Sequence, residues 1–161
     1  MRLLVRLMKN IPDLVRSQGA RIIRIAESYR QYSGRLLVTT EGCVVEALWR
    51  APMVIVAHDT APDPIFFFGN LAALTLFEMD FATFTQVPSR FSAEPMLRDE
   101  RARLLERVNR HGLIDDYSGV RISSTGKRFR IERASVWNVV DGHGNLLGQA
   151  AAFTDWSPIE G

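Results

Sequence analysis

The sequence predicts a mixed α+β domain, and three stretches carry that expectation. Residues 65–68 form an apolar, aromatic strand that runs through Gly69 and Asn70 into a short apolar helix ending near Phe77. Residues 53–59 are an apolar run with β-branched side chains, bounded by Pro52 and the turn-prone 60–64, and read as a buried strand. Residues 117–153 read as one antiparallel unit closed by Asp141-Gly142-His143-Gly144-Asn145, the strongest turn signal in the chain. In order this gives helix, two strands, short helices, a longer helix and three antiparallel strands.

Composition bounds the class. With 161 residues, 47% hydrophobic and 24% charged, the chain is long enough to close one core. Its 20 basic residues stand against 18 acidic ones. That near balance is not the basic field that grips phosphate backbones, so no nucleic-acid partner is expected. Residues 1–8 are apolar but interrupted by Arg2 and Arg6 and followed by Lys9, Asn10 and Pro12, without a small-residue cleavage site; no signal peptide is read there. No apolar run approaches the roughly 20 residues of a membrane helix, so no membrane partner is expected. The single Cys43 excludes an internal disulfide and a thiolate metal cluster, which fits a reducing, cytoplasmic location.

Residues 13–33 read as an amphipathic helix. Leu14, Ile22, Ile25, Ala26 and Tyr29 recur at helical spacing, Arg16, Arg21, Arg24 and Glu27 face elsewhere, and Gly34 is the stop. Its apolar stripe packs either on the domain's own sheet or on a second copy of the chain, and amphipathicity does not choose. Residues 42–50 fit a strand or a short helix equally. The strand at 53–59 should pair with 65–68. Gly69 permits the turn that follows, and the Asn70 side chain is placed to accept from a free amide of the next helix. Residues 80–88 read as irregular, and a second helix is expected over about 95–109.

That second helix poses a charge problem. At about 100° per residue, Leu97, Leu104, Leu105 and Val108 share one stripe, with Arg101 in its middle and Arg98 at its edge. Asp99 with Arg103, and Glu106 with Arg110, stand at the i,i+4 spacing of exposed pairs. A guanidinium beneath an apolar stripe requires an anion or several carbonyls. Two partners satisfy it: an internal carboxylate from Glu94, Glu132 or Asp116, or an anionic group on a small ligand.

In the C-terminal unit, 119–123 is a strand and 124–127 a turn. A long strand over 128–140 alternates Phe129 and Ile131 with Arg128, Arg130 and Glu132. The closing strand, 146–153, contains Gly148 and Ala150-Ala151-Ala152. Small residues there leave space above the sheet that admits a packed helix or makes a cavity.

At this point the residues resemble a known family. Asn70-x-Ala72 followed by Leu76-Phe77, the 141–145 turn and the closing strand look like a PAS-type sensor domain. Residues 88–95 (PSRFSAEP), 117–123 (YSGVRIS), Val136-Trp137-Asn138 and 148–153 (GQAAAF) more narrowly resemble the MEKHLA domain, a PAS-related module. The likeness covers about 29–153. Where a typical PAS helix continues with Gly, this chain has Glu78. The resemblance implies an α+β, PAS-like fold: a five-stranded antiparallel sheet with flanking helices and a pocket, here preceded by the N-terminal amphipathic helix. It divides the chain into an N-terminal helical extension (1–50), a PAS-like MEKHLA domain (51–156) and a tail (157–161), and it implies sensing or small-molecule binding.

The expected ligand site gathers Arg90, Ser92, Glu94, Arg98, Arg101, Tyr117, Arg121, Ser123, Trp137 and Gln149 around a small anionic molecule. No catalytic residue is assigned, because no nucleophile–base pair is visible; the competing reading is an enzyme in which Glu94 or Tyr117 handles a proton of an anionic substrate. The cofactor is left unknown. Flavin is not expected, since the Asn-Cys motif of flavin photosensors has no counterpart and Cys43 lies upstream of the first strand. Haem is not expected either, as His111 sits just past the helix that would supply an axial ligand. His58 reads as a core residue, His143 as part of an exposed turn, and no histidine pair has metal-ligand spacing, so no metal is expected. A homodimer is expected, with output through a protein signalling partner; a ligand-free interaction module is the third reading, for which the exposure of Phe66, Phe67, Phe68 and Trp156 is informative.

Overall fold

The computed structural model describes residues 11–93 and 98–160, without the side chains of Arg98 and Arg101. The apolar 1–8 stretch, Glu94, Pro95 and Leu97 lie outside the described residues.

Alternating, β-branched and aromatic segments form one antiparallel sheet. Its strands are β1 (Val54–His58), β2 (Phe66–Gly69), β3 (Leu113–Ile122), β4 (Arg128–Val140), β5 (Leu146–Phe153) and β6 (Asp155–Pro158). The order is β2-β1-β5-β4-β3, with β6 on β4. The strands at 53–59 and 65–68 pair as expected, Val56 opposite Gly69 and Ala57 opposite Phe68. Two differences enlarge the predicted sheet. β3 begins at Leu113, well before 119, and Asp155–Pro158 is a strand rather than domain end and tail. β4 accommodates it by changing neighbours along its length: β6 pairs with Phe129 to Glu132, β5 with Ser135 to Val140. The change falls at Arg133, whose backbone turns to φ 53° and whose guanidinium pairs with Asp155 at 2.8 Å.

The helices are α1 (Asp13–Ser17), α2 (Gly19–Ser33), α3 (Val44–Arg50), α4 (Leu71–Phe77), α5 (Phe81–Phe84) and α6 (Arg98–His111). The predicted single helix over 13–33 is therefore two. Gln18 closes α1 by donating its N–H to the Val15 carbonyl at 3.1 Å and opens α2 by accepting from Arg21 and Ile22. The break re-phases the stripe: Val15 is buried and Leu14 is 53% exposed, opposite to its predicted side. Residues 44–50 resolve as helix, burying Val45, Leu48 and Trp49 at i, i+3 and i+4. The region expected to be irregular contains α5, started by Asp80 Oδ1 accepting from Thr83 N at 2.7 Å, and a 3₁₀ turn at Ser89–Ser92. α6 runs to His111 and stops at Gly112, whose φ of 75° few side chains tolerate; a Cβ there would also meet the Tyr32 ring at 2.2 Å. The predicted α6 stripe narrows, since Val108 is buried but Leu105 is 40% exposed.

The two faces of the sheet are used differently. On one, α2 lays Ile22 and Ile25 against Ile55, Ala57, Trp137, Val139, Ala150 and Ala152. Trp137 Nε1 donates to the Ile25 carbonyl at 3.0 Å, and Ser28 accepts from Val140 N at 2.9 Å. The apolar stripe of α2 is thus covered by the chain's own sheet. On the other face Phe66, Phe77, Phe84 and Phe129 form an aromatic cluster, with Phe66 and Phe84 stacked at 4.3 Å. Phe66, Phe67 and Phe68 are all buried, whereas Trp156 on β6 is 45% exposed.

Candidate ligand-binding site

The strand-to-helix junction sets one wall of the site. Asn70 is fully buried, and its side chain does more than cap. Oδ1 accepts from Ala73 N at 3.0 Å and from Ile55 N at 3.1 Å, while Nδ2 donates to the Leu48 and Met53 carbonyls at 3.1 and 2.8 Å. One amide therefore ties α4, β1 and the end of α3 together, and α4 is held close to the sheet.

Strand register sets the floor. Because alternate residues share a face, the pairings His58–Gln149–Asn138 and Val56–Ala151–Val136 lie side by side across β1, β5 and β4. The first row is polar and the second apolar. Ala151, the smallest side chain of the rows, leaves space above it, and all six residues line a cavity of about 520 Å³ between the sheet, α6 and the 3₁₀ turn. That is the size of an ordinary small-molecule pocket. Gly148 lets the strands close at this point, since a Cβ would lie 2.0 Å from the His58 carbonyl oxygen. Leu104, Leu105 and Asn109 of α6 also line the cavity, and Asn138 Nδ2 donates to Asn109 Oδ1 at 3.2 Å, joining floor to helix.

Of the residues expected from sequence, Arg90, Ser92, Tyr117, Arg121 and Gln149 line this cavity. Arg90 is already engaged: its Nε lies 3.1 Å from both Asp63 carboxylate oxygens, and its guanidinium covers the Phe91 ring at 4.1 Å. Ser92 is buried and donates to the Ser89 carbonyl at 2.7 Å. Arg121 Nη2 donates to the Tyr117 hydroxyl at 3.5 Å. The Gln149 side chain makes no hydrogen bond among the described residues, while its backbone sits in the ladder between β1 and β4. Glu94 and the Arg98 and Arg101 side chains lie outside the described residues. Of the three carboxylates offered to Arg101, two pair with other arginines, Asp116 with Arg107 at 2.7 Å and Glu132 with Arg130 at 3.4 Å.

Trp137 and Ser123 require correction. Trp137 is fully buried on the opposite face, under α2, because its position in β4 is one residue out of phase with Val136 and Asn138. Ser123 belongs to a clamp around Glu78. That residue sits at φ 58°, ψ 48° as the C-cap of α4, the left-handed position that favours glycine in such helices. Its carboxylate accepts from Ser123 and Thr125 and pairs with Lys127 at 3.2 Å, while Ser124 Oγ donates to its carbonyl. The Thr125 and then the Ser123 hydrogen bond lower the Glu78 pKa from 4.5 to about 2. The clamp fastens α4 to the β3–β4 turn.

Asn138, Val56 and Asn109 line the cavity but are not among the residues expected from sequence, Ala151 lies in the small-residue run expected to leave space there, and His58, read as a core residue, lines the cavity as well. Counting back from the 141–145 turn pairs Asn138 with Gly148; a register shift between Val139 and Val140 moves its partner to Gln149. The cavity's polar groups are suited to binding. Ser92 is committed to a carbonyl, and Asp59, which also lines the cavity, accepts from Ala61 N and Ile65 N. His58 Nδ1 lies 2.8 Å from the Asp59 carbonyl. Among the described residues no group of three His, Cys, Asp or Glu side chains is placed to hold a metal, and no helix is long and apolar enough to cross a membrane.

Comparison with known proteins places this geometry. The MEKHLA domain profile matches residues 20–158. A homeobox-leucine zipper protein, HOX29 of Oryza sativa subsp. indica, is 25% identical over 126 residues, covering 74% of this chain and 15% of that protein; the chain therefore spans a small part of the curated relatives it matches. Among solved structures, a PAS domain from Colwellia psychrerythraea superposes with a TM-score of 0.58 at 15% identity, over 68% of this chain and 91% of that one. A light-oxygen-voltage domain studied with a flavin analogue superposes with a TM-score of 0.55 at 17% identity, over 74% and 87%.

Proposed function

The chain belongs to the MEKHLA domain family, a PAS-related and sensor-like class, and from that premise we propose that it binds a small molecule in the cavity between the sheet and α6. The observation that carries the reading is the floor itself. A small residue, Ala151, stands beside a row of polar side chains, His58, Gln149 and Asn138, under a helix that closes the space above them. A core selected only for stability fills such a space; a binding site combines an apolar floor with a few polar groups.

The light-oxygen-voltage relative is described with a flavin analogue, but a covalent flavin adduct forms no part of this proposal. Cys43 caps α3 and packs with the cluster on the other face of the sheet. Output through a second copy of the chain or another protein belongs to the proposal.

Native mass spectrometry beside the denatured mass tests it, together with Ala151→Trp, which fills the floor. The expected result is added mass on the parent protein that is absent from a folded Ala151→Trp variant, with the protomer count read in the same spectrum. Added mass retained equally by both proteins would refute the cavity as the site.

A further inference from the structure

Resting on that cavity reading, the charges around the space define what kind of molecule enters it. Three charged side chains of the described residues line the cavity: Asp59, Arg90 and Arg121. Asp59 follows the end of β1, where two backbone amides already donate to its carboxylate. Arg90 is neutralised by Asp63 and covers Phe91. Among the described residues Arg121 has no carboxylate partner, and its one polar side-chain contact is the long bond to the Tyr117 hydroxyl, with the guanidinium carbon 5.9 Å from that ring's centroid.

Arg121 and Tyr117 are both half-buried and stand on β3 opposite Phe129 and Ala134, away from Asp59 and from the polar row at His58, Gln149 and Asn138. A guanidinium carries five donors in a planar fork, and burial raises the cost of leaving them unmatched. The Tyr117 hydroxyl, accepting from Arg121, retains its own proton to donate. Arginine fork and phenol, 3.5 Å apart, are near enough for both to donate to a single oxyanion.

We propose that the ligand of this cavity is an amphiphilic organic anion. Its carboxylate, or a comparable oxyanion, is held by Arg121 and Tyr117, and its apolar body lies on Val56, Ala151 and Val136. This places the anion on Arg121 and Tyr117 of β3, two of the residues expected from sequence to surround it.

The test uses two fluorescent probes that share one ring system: 8-anilinonaphthalene-1-sulfonate, which bears an anionic group, and N-phenyl-1-naphthylamine, which does not. Titrations are run on the full chain, on Arg121→Gln, on Arg121→Lys and on Ala151→Leu, each confirmed folded by circular dichroism. Arg121→Gln is expected to weaken the sulfonate probe about tenfold, the scale of a lost charge-assisted contact, and to leave the neutral probe within about twofold; Arg121→Lys, which keeps the charge but loses the fork, is expected to fall between. Ala151→Leu is expected to weaken both probes. If Arg121→Gln changes both probes alike, or neither, while Ala151→Leu weakens both, the anion assignment is overturned and the cavity stands. If neither probe binds, or Ala151→Leu affects neither, the cavity reading falls and the anion assignment falls with it.

Discussion

Replacing Asn70 with alanine is the sharpest test of how the domain is held together. The parent amide makes four hydrogen bonds in a fully buried position. Asn70→Ala leaves the Ile55 and Ala73 N–H groups without an acceptor and the Leu48 and Met53 carbonyls without this donor. Each unsatisfied buried group costs about 1–3 kcal/mol. The Leu48 carbonyl keeps a weak second contact from Ala51 N at 3.4 Å, so the amides dominate, and the expected loss is about 3–5 kcal/mol. That is a large fraction of the roughly 5–15 kcal/mol that holds a domain folded. Asn70→Asp separates the two halves of the network. Its carboxylate still accepts from both amides but turns its second oxygen towards two carbonyl oxygens, so its pKa in the folded state is raised. The penalty is therefore full at neutral pH and shrinks as pH falls through that raised value, when the protonated acid donates again. Urea unfolding followed by the fluorescence of buried Trp49 and Trp137 measures both variants. A loss of about 1 kcal/mol or less for Asn70→Ala, the worth of an ordinary helix cap, would refute the reasoning.

Three further outcomes follow from the geometry. Glu78→Gln should lower stability at pH 7 and flatten its acid dependence. The folded carboxyl titrates near 2 against an ordinary 4.5, so its contribution is complete above about 4.5 and is lost as pH falls towards 2; acid titrations of both proteins that run parallel through that window would contradict the clamp. Gly148→Ala sets a methyl 2.0 Å from the His58 carbonyl oxygen, a backbone contact that cannot rotate away. A loss of about 2–3 kcal/mol is expected in thermal unfolding, and an unchanged midpoint would show that β1 and β5 separate freely. Trp137→Phe removes the bond to the Ile25 carbonyl and should cost about 1–2 kcal/mol while leaving probe binding within about twofold; a large loss of binding would return Trp137 to the site.

Local chemistry was readable in the sequence where a residue acts on its immediate neighbours. Asn70 caps α4, Gly34 and the 141–145 turn fall where expected, and the strand pair 53–59 and 65–68 is present. What the sequence concealed depends on groups distant in the chain. Asn70 reaches back to Leu48 and Met53, contacts no spacing rule reveals. Glu78 looked like a minor departure from a glycine; it adopts glycine's backbone angle and adds a carboxylate bound by a turn more than 40 residues later. The site residues divide the same way. Arg90, Ser92, Tyr117, Arg121 and Gln149 share a cavity because residues near 88–95 and 117–123 meet through the Ala93–Arg121 bridge. Trp137 failed because membership in a segment does not fix a face, and one residue of phase decides it.

The closing strand shows how far that phase reaches. Its run of small residues was read as making room for either a helix or a cavity, and β5 does both. Ala150 and Ala152 face α2, where Ile22 and Ile25 fill the space their short side chains leave. Ala151, between them, faces the other way, between Val56 and Val136, where it lines the cavity and packs against the small cluster of Val108, Ile114 and Val136. The same residue type is thus fully covered on one face and half-covered on the other, and the difference lies in what each helix offers. α2 lays an apolar stripe flat on the sheet. The described part of α6 contributes the buried Val108 and the half-buried Leu104, leaves Leu105 40% exposed, and meets the floor through a bond between two asparagines. The described contact of α6 with the sheet on this face is therefore part apolar, through Val108 and Leu104, and part polar, through the Asn109–Asn138 bond. On the opposite face α2 is tied to the sheet by the Trp137 bond to the Ile25 carbonyl and the Val140 N–H bond to Ser28.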